Sequence, residues 1–196
     1  MTRWLTLLAT LILLQGCSTQ VTRVNPDETI DLSGAWNDSD SQLVSEEMIN
    51  DALSHPWITR FEAGSGRSPT VLIGNVRNLS HEHININTFV NDMERALVNS
   101  GRVVFVASSV EREELRAERI DQDLNASADT RSAAGNETGA DFMLQGQINT
   151  IVDVASRDQV RYYQVDLTLI SLKDNRKVWL GQKKIKKLVA NSKLRY

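Results

Sequence analysis

No hydrophobic run in this chain is long enough to cross a membrane. The longest, residues 4–14 (WLTLLATLILL), has 11 residues, whereas a membrane-spanning helix needs about 20. Arg3 precedes this run and Gln15-Gly16-Cys17 follows it. A basic start, a short apolar stretch and a small residue before a cleavage point are typical of a bacterial secretory signal. We therefore predict that residues 1–16 are removed.

Cysteine is nearly absent, and its only occurrence, Cys17, lies directly after this segment. The junction LLQGC resembles a lipobox, in which the cysteine thiol is acylated and the chain is cut before it. The alternative is an ordinary signal peptide followed by an incidental cysteine. We favour lipidation, because a lone cysteine rarely falls at that position by chance. No thiol then remains for a disulfide, a nucleophile or a metal site.

Proline is also scarce in the segment that follows the cysteine. Residues 17–37 are polar, lack periodicity and contain a single proline, Pro26, so they predict a lipidated flexible tether. Fully extended, some 20 residues reach about 70 Å. Ser18 is not the aspartate associated with inner-membrane retention. The expected location is therefore the outer membrane, on its periplasmic side, with the lipid on Cys17 as the anchor and no other cofactor.

Recognisable catalytic motifs are missing as well. The chain has no G-x-S-x-G elbow, no P-loop, no G-x-G-x-x-G after a strand and no H-E-x-x-H. The only dense polar cluster is His81-Glu82-His83. Two histidines at this spacing could bind a metal, but no third ligand follows at a recognisable distance. No basic stripe with interleaved aromatics predicts nucleic-acid binding. We therefore expect a protein that is not an enzyme and binds no metal.

The hydrophobic pattern changes period along the chain. Helical spacing predicts helices after Asp38 or Ser39, after Asn87 as N-cap, and from Ser108, where Glu111 completes a capping box. Strands are predicted at residues 70–76 and 102–106, with room for one short helix between 125 and 139. From residue 142 apolar residues recur at every second position, which predicts three antiparallel strands at 142–152, 162–171 and 177–186, joined by short turns. In the first of them, Phe142, Leu144, Ile148 and Val152 are predicted to share one face. The predicted fold class is α+β, a single sheet of about five strands with a C-terminal meander and three to four flanking helices.

Acidic residues are missing from the C-terminal end. The last 21 residues contain eight Lys or Arg and no Asp or Glu; removing these eight from the 22 basic residues leaves 14, against 25 acidic ones. A basic end could contact an acidic partner or a cell-wall polymer. We favour the other interpretation, in which lysines protect an edge strand from pairing. The domain is expected to span residues 38–190, with a basic tail at 191–196.

Several blocks resemble, in order, the LpoB-type lipoprotein activators of penicillin-binding proteins, which have a TolB-N-like periplasmic domain. They are DLSGAWNDSDS (31–41), IGNVRNLSHEHININTF (73–89), ALVNSGRVVFV (96–106), GADFMLQGQI (139–148), a tyrosine-rich strand (162–169) and KVWLGQKKIKK (177–187). The resemblance covers about residues 30–187, and the stretch from Arg77 to Ile84 is its most specific part. It also implies that the histidine cluster is a family loop after the first strand.

This resemblance implies an outer-membrane lipoprotein that binds the regulatory domain of a class A penicillin-binding protein and activates it without catalysis, regulating peptidoglycan synthesis and cell shape. Peptidoglycan itself is a further candidate partner. The alternative is a CsgG-like or TolB-N-like accessory lipoprotein in envelope assembly or secretion. Loops on a rigid scaffold often carry function. We therefore predict a partner-binding site formed by five residues of the first-strand loop: Arg77, Asn78, His81, Glu82 and His83. One alternative is that these side chains only cap the second helix and tie down the loop. The other is that the basic edge strand, with Lys183, Lys184, Lys186 and Lys187, makes the contact.

Overall fold

The fold comes from a computed structural model, which describes residues 20–26, 28–132, 135–155 and 158–190. The predicted signal segment, Cys17 and the tail at 191–196 lie outside the described residues. The elements are α1 (Asp38–Ser54), α2 (Trp57–Ser65), β1 (Thr70–Asn78), α3 (Asn87–Asn99), β2 (Val104–Val106), α4 (Ser109–Asn125), β3 (Phe142–Ala155), β4 (Asp158–Ser171) and β5 (Lys177–Ala190).

The described strands form one sheet in the order β2-β1-β3-β4-β5. β1 runs parallel to both β2 and β3, whereas β3, β4 and β5 form an antiparallel meander. The register between β1 and β3 shifts between Ile73 and Val76. The predicted α+β fold, with about five strands and a C-terminal meander, is therefore confirmed. β5 is an edge strand, which agrees with the interpretation of its lysines as protection against pairing.

The core lies between one face of this sheet and helices α1, α2 and α3. The inward residues of β4 alternate along the strand: Tyr163, Val165, Leu167 and Leu169 are all at most 3% exposed. Phe89 and Met93 of α3 and Met48 of α1 pack against them. The predicted alternation with period two is confirmed, because only one face of the meander is covered by helices. Val152, predicted to be on the same inner face of β3, is 39% exposed.

Local signals account for most of the helix ends. Asn37 forms a capping box with Asp40 at the start of α1, and the predicted box of Ser108 and Glu111 starts α4. Gly101, after α3, has the left-handed φ of 69° that a residue with a side chain rarely adopts. The prediction of Asn87 as the N-cap of α3 is wrong: Asn87 is the first helical residue, and no side chain caps the helix at Ile86.

Three further details differ from the prediction. β2 has only residues 104–106, and β5 continues to Ala190 instead of ending at Lys186. The short helix expected before Gly139 does not occur in residues 126–132 or 135–139. α4 buries no side chain. Within the described part of the chain, no helix is both long and apolar enough to span a bilayer.

Candidate functional site: the first-strand loop and the end of the tether

The five predicted partner-binding residues lie at the end of β1 and in the loop that follows, residues 79–86. Arg77, His81 and His83 are exposed, whereas Asn78 and Glu82 are half-buried. The side chain of Arg77 makes a single long contact, 3.4 Å from its Nη2 to Oε1 of Gln147. The first three are therefore available to a partner, and the other two are engaged within the protein.

Asn78 organises the backbone of the loop. Its Oδ1 accepts hydrogen bonds from the backbone N–H of Ser80 at 2.9 Å and from the Ser80 hydroxyl at 2.6 Å. Its Nδ2 donates to the carbonyl oxygen of Glu82 at 2.7 Å. An Asn side chain that bonds to residues two and four positions ahead closes a tight turn. Asn78 thus orients Glu82.

Glu82 joins the loop to the sheet and to the end of the predicted tether. Its Oε1 accepts from the Tyr163 hydroxyl at 2.7 Å and from Nη1 of Arg161 at 3.1 Å. Its Oε2 accepts from the backbone N–H of Trp36 at 3.0 Å. The Trp36 ring meets the fully buried Tyr163 ring edge-on, with 5.4 Å between centroids. One carboxylate therefore holds three parts of the chain together.

Lys187 of β5 holds the same segment from the other side. Its Nζ lies 2.7 Å from a carboxylate oxygen of Asp31 and 2.7 Å from one of Asp40, and 3.2 Å from the carbonyl oxygen of Ala35. The side chains of Lys187 and Asp40 are only 12% and 4% exposed. We call Glu82, Tyr163 and Lys187 the tether-binding site. These contacts hold residues 31–37, the end of the segment predicted as a tether, on the domain.

Burial and charge shift two ionisation equilibria in the tether-binding site. Burial raises the pKa of the Tyr163 hydroxyl above its ordinary value, and its hydrogen bond to Glu82 raises it further. Burial by itself would lower the pKa of Lys187, but hydrogen bonds to Asp31 and Asp40 outweigh it, and the pKa is raised. Tyr163 is therefore neutral and Lys187 charged at neutral pH, the states that these hydrogen bonds require.

The exposed members of the predicted site face different surfaces. Arg77 lines a shallow depression on the sheet face opposite the helices, beside Gln147 and Asp166. His83 lines a groove of about 700 Å³ between α1 and α3, which it shares with Trp36 and Arg95. Within the described ranges, no three His, Cys, Asp or Glu side chains are grouped so that they could hold a metal ion. The loop therefore presents separate contact surfaces instead of a single polar pocket.

The contacts of Lys187 and Tyr163 with residues 31–37 were not predicted from the sequence. Glu82 and Tyr163 are 81 positions apart, and no local pattern connects a loop glutamate to a strand tyrosine at that separation. One signal was available: Lys187 lies on the inward-facing register of β5, opposite Arg161. A lysine on the inner face of a strand needs a carboxylate partner.

Three comparisons place the chain among known proteins. It resembles the lipoprotein GNA1162 from Neisseria meningitidis (15% identity, 64% of this chain and 88% of that chain, TM-score 0.38). It also resembles the LpoB C-terminal domain from Escherichia coli (14% identity, 73% and 98%, TM-score 0.36) and that from Salmonella enterica (15% identity, 67% and 94%, TM-score 0.33). No curated protein matches the chain significantly.

The family comparison covers most of the domain. The model of the family described as peptidoglycan-synthase activator LpoB matches residues 40–185, from the first turn of α1 to the middle of β5. This range includes the first-strand loop, the sheet and the three core helices. The chain therefore belongs to the LpoB family of peptidoglycan-synthase activators.

Proposed function

We propose that this protein is an outer-membrane lipoprotein that binds a class A penicillin-binding protein and stimulates its synthase activity without taking part in the chemistry. The observation that supports this proposal is the family match over residues 40–185. The LLQGC junction at Cys17 supports the lipid anchor. Activation by binding is a coupling between two sites on the synthase, in which the activator favours the active conformation.

The packing of residues 31–37 on the domain shortens the segment that can extend from the anchor. Between Cys17 and Asp31 some 14 residues remain, which reach about 50 Å when extended. The 14-residue strands of the meander add roughly 48 Å at about 3.4 Å per residue. The far end of the domain could then lie about 100 Å from the anchor. A synthase that extends toward the outer membrane would be within this reach.

The test is a glycosyltransferase assay with purified class A penicillin-binding protein and lipid-linked precursor, with and without the full chain in detergent. Faster polymerisation, together with co-purification of the two proteins, is the expected result. A chain that neither binds the synthase nor changes its rate would refute the proposal and favour the accessory role in envelope assembly. The same assay performed without synthase should show no polymerisation, because the chain itself supplies no catalytic group.

Arg77 is the preferred contact within the predicted site. It is exposed, makes one weak contact, and carries the guanidinium group that is enriched at interface hot spots. Arg77→Ala should weaken synthase binding about thirtyfold, equivalent to about 2 kcal/mol, with an unchanged melting temperature. Lys184→Ala, which removes another exposed cation of the sheet, is the matched control. Equal affinity of wild type and Arg77→Ala would exclude Arg77 from the interface.

The histidines of the loop are proposed as contact residues and not as metal ligands. His81→Ala combined with His83→Ala should leave the fold and the metal content unchanged, because both side chains are exposed. Elemental analysis of the purified protein provides the measurement. Stoichiometric zinc in the wild type that is lost in the double variant would contradict this proposal.

A further inference from the structure

A second groove lies at the end of the sheet that is remote from the tether-binding site. It has a volume of about 840 Å³ and is formed by α2, the start of β3 and the turn between β4 and β5. Its lining includes three aromatic residues, Trp57, Phe61 and Phe142. Their rings meet edge-on, with centroid distances of 5.5 Å and 5.2 Å to Phe142. Edge-to-face contact is a favoured arrangement of aromatic rings.

The charges that line this groove are mostly positive. Its two acidic residues are already paired: Asp141 with Arg67 at 2.7 Å, and Asp174 with Arg176 at 2.7 Å. The remaining cations that line the groove are Arg60, Lys173 and Lys177. We call this part of the surface the basic groove. All three are exposed, and none has an acidic or hydrogen-bonding side-chain partner in the described part of the chain. Three unpaired cations around one groove, on a protein of net charge −3, attract an anion.

We propose that the basic groove binds carboxylate groups of peptidoglycan stem peptides. Cations with free N–H donors are complementary to carboxylates. Exposed ion pairs contribute little individually, about two- to fivefold in affinity each, so a single small anion would bind weakly. A polymer that carries the same carboxylates at high local density compensates for this weakness through repeated rebinding. The wall is such a polymer, and this proposal rests on the proposed function, which places the protein beside it.

The position of the groove supports this ligand. Lys177 begins β5 and Lys187 lies ten residues further along the same strand, a distance of about 34 Å. The basic groove and the tether-binding site therefore lie at opposite ends of the sheet. A domain held by its tether at one end presents the other end away from the anchor.

The experiment is co-sedimentation of the full chain, in mild detergent, with isolated peptidoglycan sacculi. The wild type should sediment with intact sacculi, less so at 0.5 M salt because exposed charges are screened. The variant Arg60→Gln, Lys173→Gln, Lys177→Gln should bind at least tenfold more weakly. The control variant Arg23→Gln, Lys184→Gln, Lys186→Gln loses the same charge elsewhere and should bind like the wild type. A thermal melt should show that the wild type and both triple variants are folded. The single substitution Lys173→Gln provides a milder change in the groove.

Two further experiments identify the bound group and separate this proposal from the proposed function. Sacculi whose free carboxyl groups have been converted to amides remain insoluble and should no longer retain the wild type; undiminished retention by these amidated sacculi would overturn the proposal. The proposal would also be overturned if the groove variant bound sacculi as tightly as the wild type, or if the groove variant and the control variant lost sacculus binding to the same extent. The groove variant should still stimulate the synthase in the soluble assay. Loss of stimulation with intact sacculus binding would make the groove a protein interface, whereas lack of stimulation by the wild type would refute only the proposed function.

Discussion

Replacing Lys187 by methionine removes the cation that holds the end of the tether, while a side chain of similar length remains. Asp40 is then left 4% exposed without the lysine Nζ that lies 2.7 Å away. Removing one partner of a buried ion pair lowers the free energy of unfolding by about 3–5 kcal/mol. Asp40 keeps its hydrogen bond from the backbone N–H of Asn37 at 3.0 Å, and Lys187 lies near the surface. We therefore expect a smaller loss than this, about 2–3 kcal/mol of the free energy of unfolding.

Urea unfolding measures this loss as a lower midpoint with an unchanged slope. For a domain of this size the melting temperature should fall by about 5–10 °C. Lys186→Met is the matched control, because the neighbouring side chain points to the exposed face of β5, and its effect should stay within about 0.5 kcal/mol. Hydrogen exchange of the Trp36 amide, which donates to Glu82, should accelerate in Lys187→Met only.

The pH dependence provides an independent check. The raised pKa of Lys187 means that its contribution is fully present below its ordinary value of 10.5. The contribution is lost as pH rises through the higher pKa of the folded state. The stability gap between wild type and Lys187→Met should therefore be constant through the neutral range and close in strong base. A gap below 0.5 kcal/mol at pH 7 would refute the assignment of Lys187 as the residue that fixes residues 31–37.

Three further predictions concern other parts of the chain. Cys17→Ala should abolish incorporation of labelled palmitate and release the protein from the membrane fraction; continued labelling would refute lipidation. Arg67→Met should be less stable than wild type at pH 7, and this gap should shrink as pH falls below 3.8, the ordinary pKa of Asp141. Burial raises the pKa of Asp141, but the hydrogen bond and charge of Arg67 outweigh burial and lower it. Unfolding experiments from pH 7 to pH 3 measure the difference in stability between the two proteins. A difference that does not depend on pH would contradict the pairing. Gly146→Ala should cost about 1–3 kcal/mol, because its Cβ would lie 2.5 Å from a backbone oxygen of β4; Gly139→Ala, with open space around it, should be nearly neutral in the same melt.

Periodicity and capping residues were sufficient to predict most elements of the fold. The alternation of Tyr163, Val165 and Leu167 identified the inner face of β4, because successive strand residues point to opposite sides of a sheet. Ser108 and Glu111 located the start of α4 through a purely local hydrogen-bond pair. Asn87 was misplaced as an N-cap because several polar residues precede α3, and composition does not identify which of them has helical dihedral angles.

The tether illustrates why composition misjudges the boundary of a domain. Residues 31–37 are polar and lack periodicity, which indicated a linker. They are nevertheless held on the domain. The backbone N–H of Trp36 donates to Glu82, and Lys187 donates to Asp31 and to the carbonyl oxygen of Ala35. The same contacts show that Glu82, predicted as a partner contact from its place in a polar loop, has an intramolecular role.

The sequence by itself determined the α+β class, the meander and the absence of a long apolar span, because these depend on hydrophobic period and on residues within a few positions of each other. Family membership also depends on residues in order along the chain. Only the tertiary structure decided which loop residues are exposed to a partner, which residues before α1 are held on the domain, and which cations line the same groove. These properties depend on pairs such as Tyr163 and Glu82, or Lys187 and Asp31, which are distant in sequence. Their contact follows from the register and packing of the whole sheet.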